Sequence, residues 1–417
     1  MRSPIIAVLS IPSFLFLLIS EFFSQFAMNL LNFTLLIVVF ELSKSNIAVA
    51  GVVLSFTVPS ILFGILAGVY VDKRNKKNIL VYTNILRAIA SFPLLFLSHE
   101  LFVVYILSFL VSFVTQFFIP AETPIIPLLV RREQLISANA LFSIGIFGSI
   151  IVAYALSGPL LLFLGKENVF VFITILFAIS AFFAFLIKLL YEPPKMLQKI
   201  NIFEEIRDAF SLMAKKDNVY HSLFLLTLLQ TLILVIAVIG PGYATNVLRI
   251  EVERFPLLFV TPAVVGMSIG AILIGNFWHN KSKQALAKIG LLIIGFVILL
   301  FPYGYMITSR ETVQAINSFL PGIVDINNVH IMLFLSVLIG FAFSLVFVPS
   351  NTILQEETTD RQRGKIYGSL NTLVGIVSII PVLGVGLLAD IFGVSKVITA
   401  IGLIIIFMSI IRILKYK

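Results

Sequence analysis

Four polar side chains recur at helical spacing within an apolar stretch near the start of the chain. They are separated by four, four and three residues, so they share one stripe of an α-helix: Glu21, Gln25, Asn29 and Asn32. In a membrane-spanning helix such a stripe faces a cavity or another helix, and a carboxylate on it is costly to bury. We therefore predict a functional role for Glu21, with a structural ion pair as the alternative.

Two further charged side chains lie at a comparable depth in other apolar stretches. Counting along each stretch at about 1.5 Å per residue places Arg87 and Glu122 near the level of Glu21. Three ionisable groups at one level can form a charge-compensated cluster. The hypothesis is that Glu21 takes up and releases a proton and that Arg87 tunes it, because a nearby cation stabilises a carboxylate whereas burial favours the neutral acid. The sequence thus predicts a proton-coupling site, with Glu122 as its third member.

The elements that must position these residues are membrane-spanning helices. The chain has 417 residues, of which 59% are hydrophobic and 12% are charged, and no soluble domain of this size could keep so much apolar surface from water. A span needs about 20 mainly apolar residues. This rule predicts an all-α integral membrane protein with twelve spans, at residues 12–40, 47–71, 79–97, 101–129, 136–164, 168–190, 220–247, 257–278, 286–308, 329–354, 366–389 and 395–414.

The positive charges predict the orientation of these spans. Most of the 29 Lys and Arg residues lie in segments on the side of the two termini, and short loops rich in Lys and Arg are typical of the cytoplasmic side. Both termini are therefore predicted to be cytoplasmic, in a multi-pass protein of the plasma or inner membrane. Because the cations lie between spans rather than along one soluble face, nucleic acid is not expected as a partner despite the net charge of +9.

Several kinds of site are absent from the sequence. The chain has no Cys, and its four His residues are scattered singly, so no metal site is predicted. It has no Walker-type phosphate-binding loop, so ATP is not expected as the energy source, and no cofactor is predicted. No group of acid, base and nucleophile is present at one interface, which argues against an enzyme acting on lipids.

The longest predicted cytoplasmic segment divides the spans into two groups of six. Residues 191–219 are expected to tether an N-terminal half, residues 1–190, to a C-terminal half, residues 220–417, and to carry an amphipathic helix in the membrane interface. A short repeat supports this division, because residues 118–123 (Phe-Ile-Pro-Ala-Glu-Thr) recur as residues 347–352 (Phe-Val-Pro-Ser-Asn-Thr). The two six-helix halves are thus predicted to be pseudo-symmetric.

A basic loop between the second and third predicted spans carries a family signature. The pattern G-x-x-x-D-[KR]-x-x-[KR]-[KR] is filled without a gap by Gly68, Asp72, Lys73, Lys76 and Lys77. It resembles the loop signature of the major facilitator superfamily (MFS), which implies two six-helix halves in parallel repeat with the substrate site between them near the membrane midplane. Stretches within residues 117–141 and 351–393 resemble the branch of macrolide efflux proteins and the enterobactin exporter.

Asp72 stands at the C-terminal end of its own span, where the helix dipole disfavours an anion. The MFS resemblance implies that its partner is the N-terminus of span eleven, which starts near Gly364 and Lys365. Such a contact would latch the two halves in the outward-open state, and breaking it would let them move. The latch is predicted to include Gly68 and the neighbouring cations, for which membrane orientation alone is the alternative: Lys73, Arg74, Lys76 and Lys77.

Two more sets of residues complete the expected site. By resemblance to the glycine-rich motif of superfamily antiporters, Gly158 and Pro159 are predicted to bend span five, although the Gly pair that follows in antiporters is missing. Polar side chains on spans one, seven, ten and eleven are candidates for the substrate cavity, with interhelical packing as the alternative: Gln25, Asn29, Asn32, Gln230, Thr231, Asn351, Gln355 and Asn371.

The function expected from these features is secondary active transport. The leading hypothesis is a monomeric exporter of amphipathic organic solutes, drug-, macrolide- or siderophore-like, that exchanges them for protons by alternating access. The alternatives are an importer or facilitator of another organic solute, and a non-transporting MFS-like sensor or assembly subunit. A sensor would be expected to carry an appended soluble domain, which is not visible in the sequence.

Overall fold

The described part of the chain is helical throughout. The computed structural model describes residues 4–72, 74–189, 217–278, 281–303, 328–357 and 360–415. Within these ranges α-helices alternate with short 3-10 and π-helical turns, and no β-strand occurs. A helix forms its backbone hydrogen bonds within its own segment, so it is the element that long apolar stretches adopt in lipid. The predicted all-α class is confirmed.

The helices fall into two compact units. The first unit comprises residues 1–42 and 51–202, and the second comprises residues 43–50 and 203–417. In chain order the first helices are α1 (Pro4–Leu9), α2 (Pro12–Ser43), α3 (Asn46–Asp72), α4 (Lys76–Ser91), α5 (Leu94–Leu97), α6 (Leu101–Glu122) and α7 (Leu135–Leu186). They are followed by α8 (Asp217–Gly242), α9 (Thr261–Asn276), α10 (Lys283–Leu300), α11 (Asn328–Glu356), α12 (Asp360–Phe392) and α13 (Val394–Lys415). Helix α3 therefore begins in the second unit and continues in the first.

Among the described residues, eleven helical segments are long and apolar enough to cross a membrane. One of them, α7, has 52 residues, and at about 1.5 Å per residue it is more than twice as long as the ~30 Å hydrocarbon core. Helix α7 is broken at Gly165, whose φ of 76° lies in the left-handed region that favours glycine. Just after the break, Lys166 forms an ion pair with Glu41 near the end of α2. Counting the two parts of α7 separately gives the predicted twelve crossings.

Large apolar side chains cover the outside of both units. Phe163 is 88% exposed, Ile380 is 80% exposed and Phe102 is 74% exposed. Apolar surface of this extent is not tolerated in water by a monomeric soluble protein, but it is what lipid chains solvate. The predicted membrane protein is thus confirmed by its surface as well as by its helix lengths, while the orientation of the termini stays a prediction.

Proline explains where two predicted spans differ from the observed helices. The fourth span, predicted over residues 101–129, leaves the α-helix at Glu122 and continues as a 3-10 helix over Thr123–Leu128. Proline has no N–H to donate, and two of these six residues are prolines. Pro93 likewise separates α4 from α5 within the third predicted span. The interfacial helix predicted between residues 191 and 219 lies outside the described residues.

Helix α2 is fixed beside α7 by a pair of reciprocal hydrogen bonds in the first unit. The Ser20 hydroxyl donates to the Ser180 carbonyl at 2.9 Å, and the Ser180 hydroxyl donates to the Ser20 carbonyl at 2.7 Å. Both residues are buried, so each hydroxyl has the partner that a buried polar group needs. This contact sets the rotation of α2 one residue before Glu21.

In the second unit, α9 and α11 approach closely through glycine. A methyl group added at Gly340 would lie 1.8 Å from the carbonyl oxygen of Ala263, and one added at Gly266 would lie 2.0 Å from that of Val337. Small residues at such crossings let helix backbones pack in a membrane, where no hydrophobic effect drives them together. The α9–α11 contact therefore depends on these glycines.

Substitution of Gly340 with Ala is expected to lower the thermal unfolding temperature of the detergent-purified protein. The added methyl group can be accommodated only if α9 and α11 move apart, and overpacking of this kind costs about 1–3 kcal/mol. Gly384→Ala is the matched control, because a methyl group there meets no atom of the described residues within 4 Å. Equal unfolding temperatures for the two variants would contradict the close approach.

Candidate functional site

Three helices of the first unit bring three charged side chains together in its interior. Glu21 lies on α2, Arg87 on α4 and Glu122 at the end of α6, and their side chains interact electrostatically with one another. Glu21 and Arg87 are each 1% exposed, and Glu122 is 8% exposed. Ionised groups are rarely buried in this way unless they are paired, because leaving water is costly for a charge. We refer to these three residues as the charged cluster.

The guanidinium of Arg87 is held by neutral partners. Its Nη2 donates hydrogen bonds to Ser24 Oγ at 2.9 Å and to Asn84 Oδ1 at 2.8 Å. Its Cζ lies 4.1 Å from the ring centroid of Phe118 and 5.0 Å from that of Phe177, within the range of cation–π attraction. These contacts fix the position of the positive charge while leaving it available to act on both carboxyls.

The carboxyl groups of Glu21 and Glu122 lie close enough to influence each other electrostatically. Gln25 Nε2 donates a hydrogen bond of 2.8 Å to Glu21 Oε1. Within the described part of the chain, Glu21 Oε2 and Glu122 Oε2 are buried without a hydrogen-bond partner. Ionised carboxylate oxygens only accept hydrogen bonds, so two facing carboxylates cannot bond to each other until one of them carries a proton. Two buried acids that interact in this way can share one proton.

Counting charges shows what this arrangement can do. With both carboxyls ionised, the charged cluster carries one net negative charge, since Arg87 balances only one of them. With one proton bound, the cluster is neutral, which is the state that a low-dielectric interior favours. Uptake or loss of a single proton thus changes the net charge of a buried site that connects α2, α4 and α6.

The rest of the polar stripe on α2 continues beyond the charged cluster. Asn29 Nδ2 donates to the carbonyl of Gln25 at 2.8 Å, so it bonds to its own helix. Asn32 Oδ1 is buried without a partner among the described residues. Of the predicted cavity residues on α2, only Gln25 bonds to a member of the charged cluster within that part of the chain.

The cavity candidates of the second unit are scattered along three helices. Thr231 on α8 is buried, and its hydroxyl has no hydrogen-bond partner among the described residues, whereas Gln230 beside it is half-buried. Asn351 Nδ2 donates to the carbonyl of Phe347, four residues earlier on α11. Gln355 is exposed at the end of the same helix. The side chain of Asn371 on α12 lies outside the described residues.

The described cations of the predicted latch lie against aromatic rings of the first unit. The Arg74 guanidinium lies 5.3 Å from the ring centroid of Tyr70, and Lys77 Nζ lies 5.2 Å from that of Phe185. The loop is short because Asn75 caps α4, its side chain accepting from the Asn78 N–H at 3.3 Å. A cap this close to the end of α3 keeps the basic loop tight.

The remaining latch residues are only partly described. Gly68 lies within α3, where an added methyl group would meet no atom of the described residues within 4 Å, and Lys76 is the first residue of α4. Lys73, the side chains of Asp72 and Lys365, and the surroundings of Gly364 lie outside the described part of the chain. The contact between Asp72 and the start of span eleven therefore stays a prediction.

The break in α7 lies after the predicted hinge. Gly158 and Pro159 have helical backbone angles, and the non-helical residue is Gly165. Sequence reasoning did not single out Gly165, although a glycine followed by Lys166 and Glu167 after a long apolar run is a readable turn signal. A hinge at residues 158–159 stays a prediction.

A small cavity in the second unit was not predicted from the sequence. It has a volume of about 50 Å³ and lies among α8, α10, α11 and α13, where its lining includes His221, Lys288, Ser350 and Arg412. This is room for a few water molecules. Because each of these four residues comes from a different helix, no sequence spacing could have shown them together.

Comparison with protein families gives one match that spans most of the chain. The model of the Major Facilitator Superfamily matches residues 17–382. The uncharacterized MFS-type transporter YfiS of Bacillus subtilis (strain 168) is 25% identical over 380 residues, which cover 91% of this chain and 87% of that protein. A protein named "Putative bacilysin exporter BacE" from Bacillus amyloliquefaciens is 26% identical over 254 residues, which cover 60% of this chain and 63% of that protein.

Solved structures with the same fold are transporters. The crystal structure of the nucleoside transporter NupG has a TM-score of 0.76 at 14% identity and covers 97% of this chain and 100% of that chain. A POT family transporter in complex with 5-aminolevulinic acid has a TM-score of 0.72 at 12% identity, covering 96% and 95%. At these identities the likeness shows the fold alone.

Proposed function

Because the chain belongs to the major facilitator superfamily, we propose that it is a proton-coupled exporter of amphipathic organic solutes. The family makes the chain a multi-pass membrane transporter and not an enzyme. Transporters of this architecture work by alternating access, in which a substrate site opens in turn to the two sides of the membrane. Such a transporter is defined by the gradient that drives its cycle, by the direction of transport and by the solutes that it carries.

The observation that carries the proposal is the pair of buried acids beside one buried base. Glu21 and Glu122 interact in the interior of the first unit, and Arg87 balances one of their two charges. One proton neutralises the charged cluster, and its release leaves one uncompensated charge, which is costly to bury. A conformation that opens the cluster to water would favour release, so proton movement can be tied to the conformational cycle.

The direction of transport and the substrate class are inferred from similarity. Stretches of spans four, five, ten and eleven resemble the branch of macrolide efflux proteins and the enterobactin exporter. One relative is named as a bacilysin exporter, and the match covers 60% of this chain. We extend export and an organic substrate to this chain on these grounds. The polar stripe from Gln25 to Asn32 on α2 is proposed to face that substrate.

Expression of this chain in a pump-deficient bacterial host is expected to raise the inhibitory concentration of at least one macrolide or amphipathic dye several-fold. A protonophore is expected to remove the protection, because it collapses the gradient that drives exchange. Growth inhibition across a panel of such compounds, with membrane expression checked by immunoblot, measures both effects.

The two parts of the proposal can fail separately in this assay. Protection that persists in the presence of the protonophore would contradict proton coupling but would still support export. If the protein is present in the membrane but protects against none of the compounds, the proposal that it exports these solutes is wrong. The exposed Glu167→Gln is the control variant and is expected to protect as well as the unmodified chain.

A further inference from the structure

The carboxylate of Asp390, in the last turn of α12, accepts four hydrogen bonds from the start of α3. Oδ2 accepts from Ser45 Oγ at 2.6 Å and from the Ile47 N–H at 3.1 Å, and Oδ1 accepts from the Asn46 N–H at 2.7 Å and from Asn46 Nδ2 at 2.8 Å. The first N–H groups of a helix have no partner within the helix, and the helix dipole favours an anion there. Asp390 therefore caps a helix that lies more than 300 residues away in the sequence.

Glycine allows the helices to meet at this cap. A methyl group added at Gly386 would lie 3.0 Å from the Asn46 carbonyl oxygen and 3.0 Å from Ile47 Cα, and one added at Gly242 would lie 2.4 Å from Asn46 Oδ1. Two helices of the second unit, α8 and α12, thus contact the start of α3 closely. The fit is specific to these positions, because a larger side chain at either glycine would push the helices apart.

The cap is also incompletely satisfied. Asn46 is 2% exposed, and its Oδ1 has no hydrogen-bond partner among the described residues. A buried acceptor without a partner lowers stability, and contact with water would remove that penalty. Opening of the contact would let Asn46 Oδ1 bond to water, which offsets part of the cost of separating Nδ2 from Asp390.

The cap lies where α3 passes from the second unit to the first. Residues 43–50 belong to the second unit, whereas α3 continues in the first unit from Gly51. In alternating access the two parts of a transporter move against each other. The start of α3 must then either leave Asp390 or bend, and hydrogen bonds break more easily than a continuous 27-residue helix.

Asp390 also mirrors the latch predicted at the other end of the same two helices. Asp72 ends α3 and is predicted to interact with the start of α12, while Asp390 ends α12 and bonds to the start of α3. Each carboxylate lies at the C-terminal end of its own helix, where the helix dipole disfavours a negative charge. The N-terminal end of the other helix favours that charge. Reciprocal caps on opposite membrane sides suit a device in which one is closed while the other is open.

We propose that Asp390 is a latch that holds the predicted external end of the protein closed, and that its release from the start of α3 opens that end. The proposed role of Asp390 rests on the proposed function only because it assumes alternating access. It requires neither proton coupling nor a particular substrate.

The test uses a single reporter cysteine in a chain that has none of its own. Ala50 is fully buried, and its Cβ lies 3.2 Å from a methyl group built at Gly386, so Ala50→Cys reports separation of α3 from α12. Labelling by a membrane-impermeant thiol reagent in intact cells is expected to be slow. Asp390→Asn removes the charge but keeps the size, and we expect labelling to become about tenfold faster, since charge-assisted bonds to the backbone are lost.

The matched control is Glu251→Gln in the same cysteine background. It removes an exposed carboxylate that pairs with Arg254, three residues later in the chain, so labelling is expected to stay slow. Where Asp390→Asn fails to reach the membrane, Gly386→Ala takes its place, because the added methyl group presses on the start of α3. Labelling that stays slow in whichever of these variants reaches the membrane, or that occurs only from the cytoplasmic side, overturns the latch. The reagent needs no substrate and no gradient, so failure here is distinct from failure of the export assay.

Discussion

Glu21→Gln is expected to abolish proton-driven export while the protein still folds and still exchanges substrate across the membrane. Glutamine keeps the volume of the side chain and can still bond to Gln25, but it cannot take up or release a proton. The charged cluster is then fixed as one carboxylate, Glu122, beside Arg87, which is electrically neutral. A neutral cluster permits the conformational cycle, yet the cycle no longer moves a proton.

Glu122→Gln is expected to behave in the same way, because the proton is proposed to be held between the two acids. Each variant leaves one carboxylate to balance Arg87, so neither creates an uncompensated buried charge. The exposed Glu167→Gln makes the same chemical change outside the charged cluster and is expected to leave export unchanged. Equal loss in the two cluster variants would distinguish a shared site from a single protonation site at Glu21.

The measurement uses membrane vesicles and a dye that the unmodified chain exports. An imposed pH gradient is expected to drive dye transport at least tenfold faster in the unmodified chain than in either cluster variant, a loss that corresponds to about 1.4 kcal/mol or more. Exchange of labelled for unlabelled dye without a gradient is expected to persist. Full gradient-driven transport in Glu21→Gln would show that this acid does not carry the proton.

The second large effect is expected on stability when Arg87 is replaced with Met. Methionine fills much of the space with an unbranched apolar chain, but it leaves both buried acids without a positive charge. Ser24 Oγ and Asn84 Oδ1 also lose the hydrogen bonds that Arg87 Nη2 donates to them. Breaking a buried charge pair by removing one partner costs about 3–5 kcal/mol, so we expect a large fall in the thermal unfolding temperature.

A double variant separates charge from packing. Arg87→Met combined with Glu122→Gln removes one of the two acids that lack compensation, so it is expected to recover part of the lost stability. Arg87→Lys keeps the charge without the planar fork that reaches Ser24 and Asn84, and it is expected to be intermediate. Thermal unfolding of the detergent-purified variants, followed by the loss of monodisperse protein, gives all three comparisons. A double variant no more stable than Arg87→Met would mean that packing, not charge, holds Arg87.

The sequence predicts the helices well because their length is fixed by the thickness of the bilayer. Runs of apolar residues placed each crossing, and the gap between the fifth and sixth predicted spans falls at Gly165, where α7 breaks. The sequence did not predict the change of helix type at proline, as in the 3-10 helix Thr123–Leu128. Hydropathy averages over a window, so it cannot detect the loss of individual N–H donors.

The charged cluster was only partly predictable. Equal depth in the membrane suggested that Glu21, Arg87 and Glu122 meet, because depth follows from counting residues along each span. The partners of Arg87 depend on which helices are neighbours, so Phe118 and Phe177 could not be named in advance. Asn84 was not named either, although it lies three residues before Arg87 on the same helix face, a spacing at which side chains interact.

The start of α3 has a consequence for how this chain can evolve. Residues 43–50 are encoded in the first part of the gene, yet they belong to the second unit, where they fit Gly242, Gly386 and Asp390. A chimaera could join the first six spans of one family member to the last six of another. It would then combine the start of α3 from one protein with the residue at position 390 from the other, and these two parts were not selected together. Recombination between relatives would preserve the contact only by transferring residues 43–50 along with the distant second part of the gene. The two parts are therefore not freely interchangeable modules, despite their similar architecture.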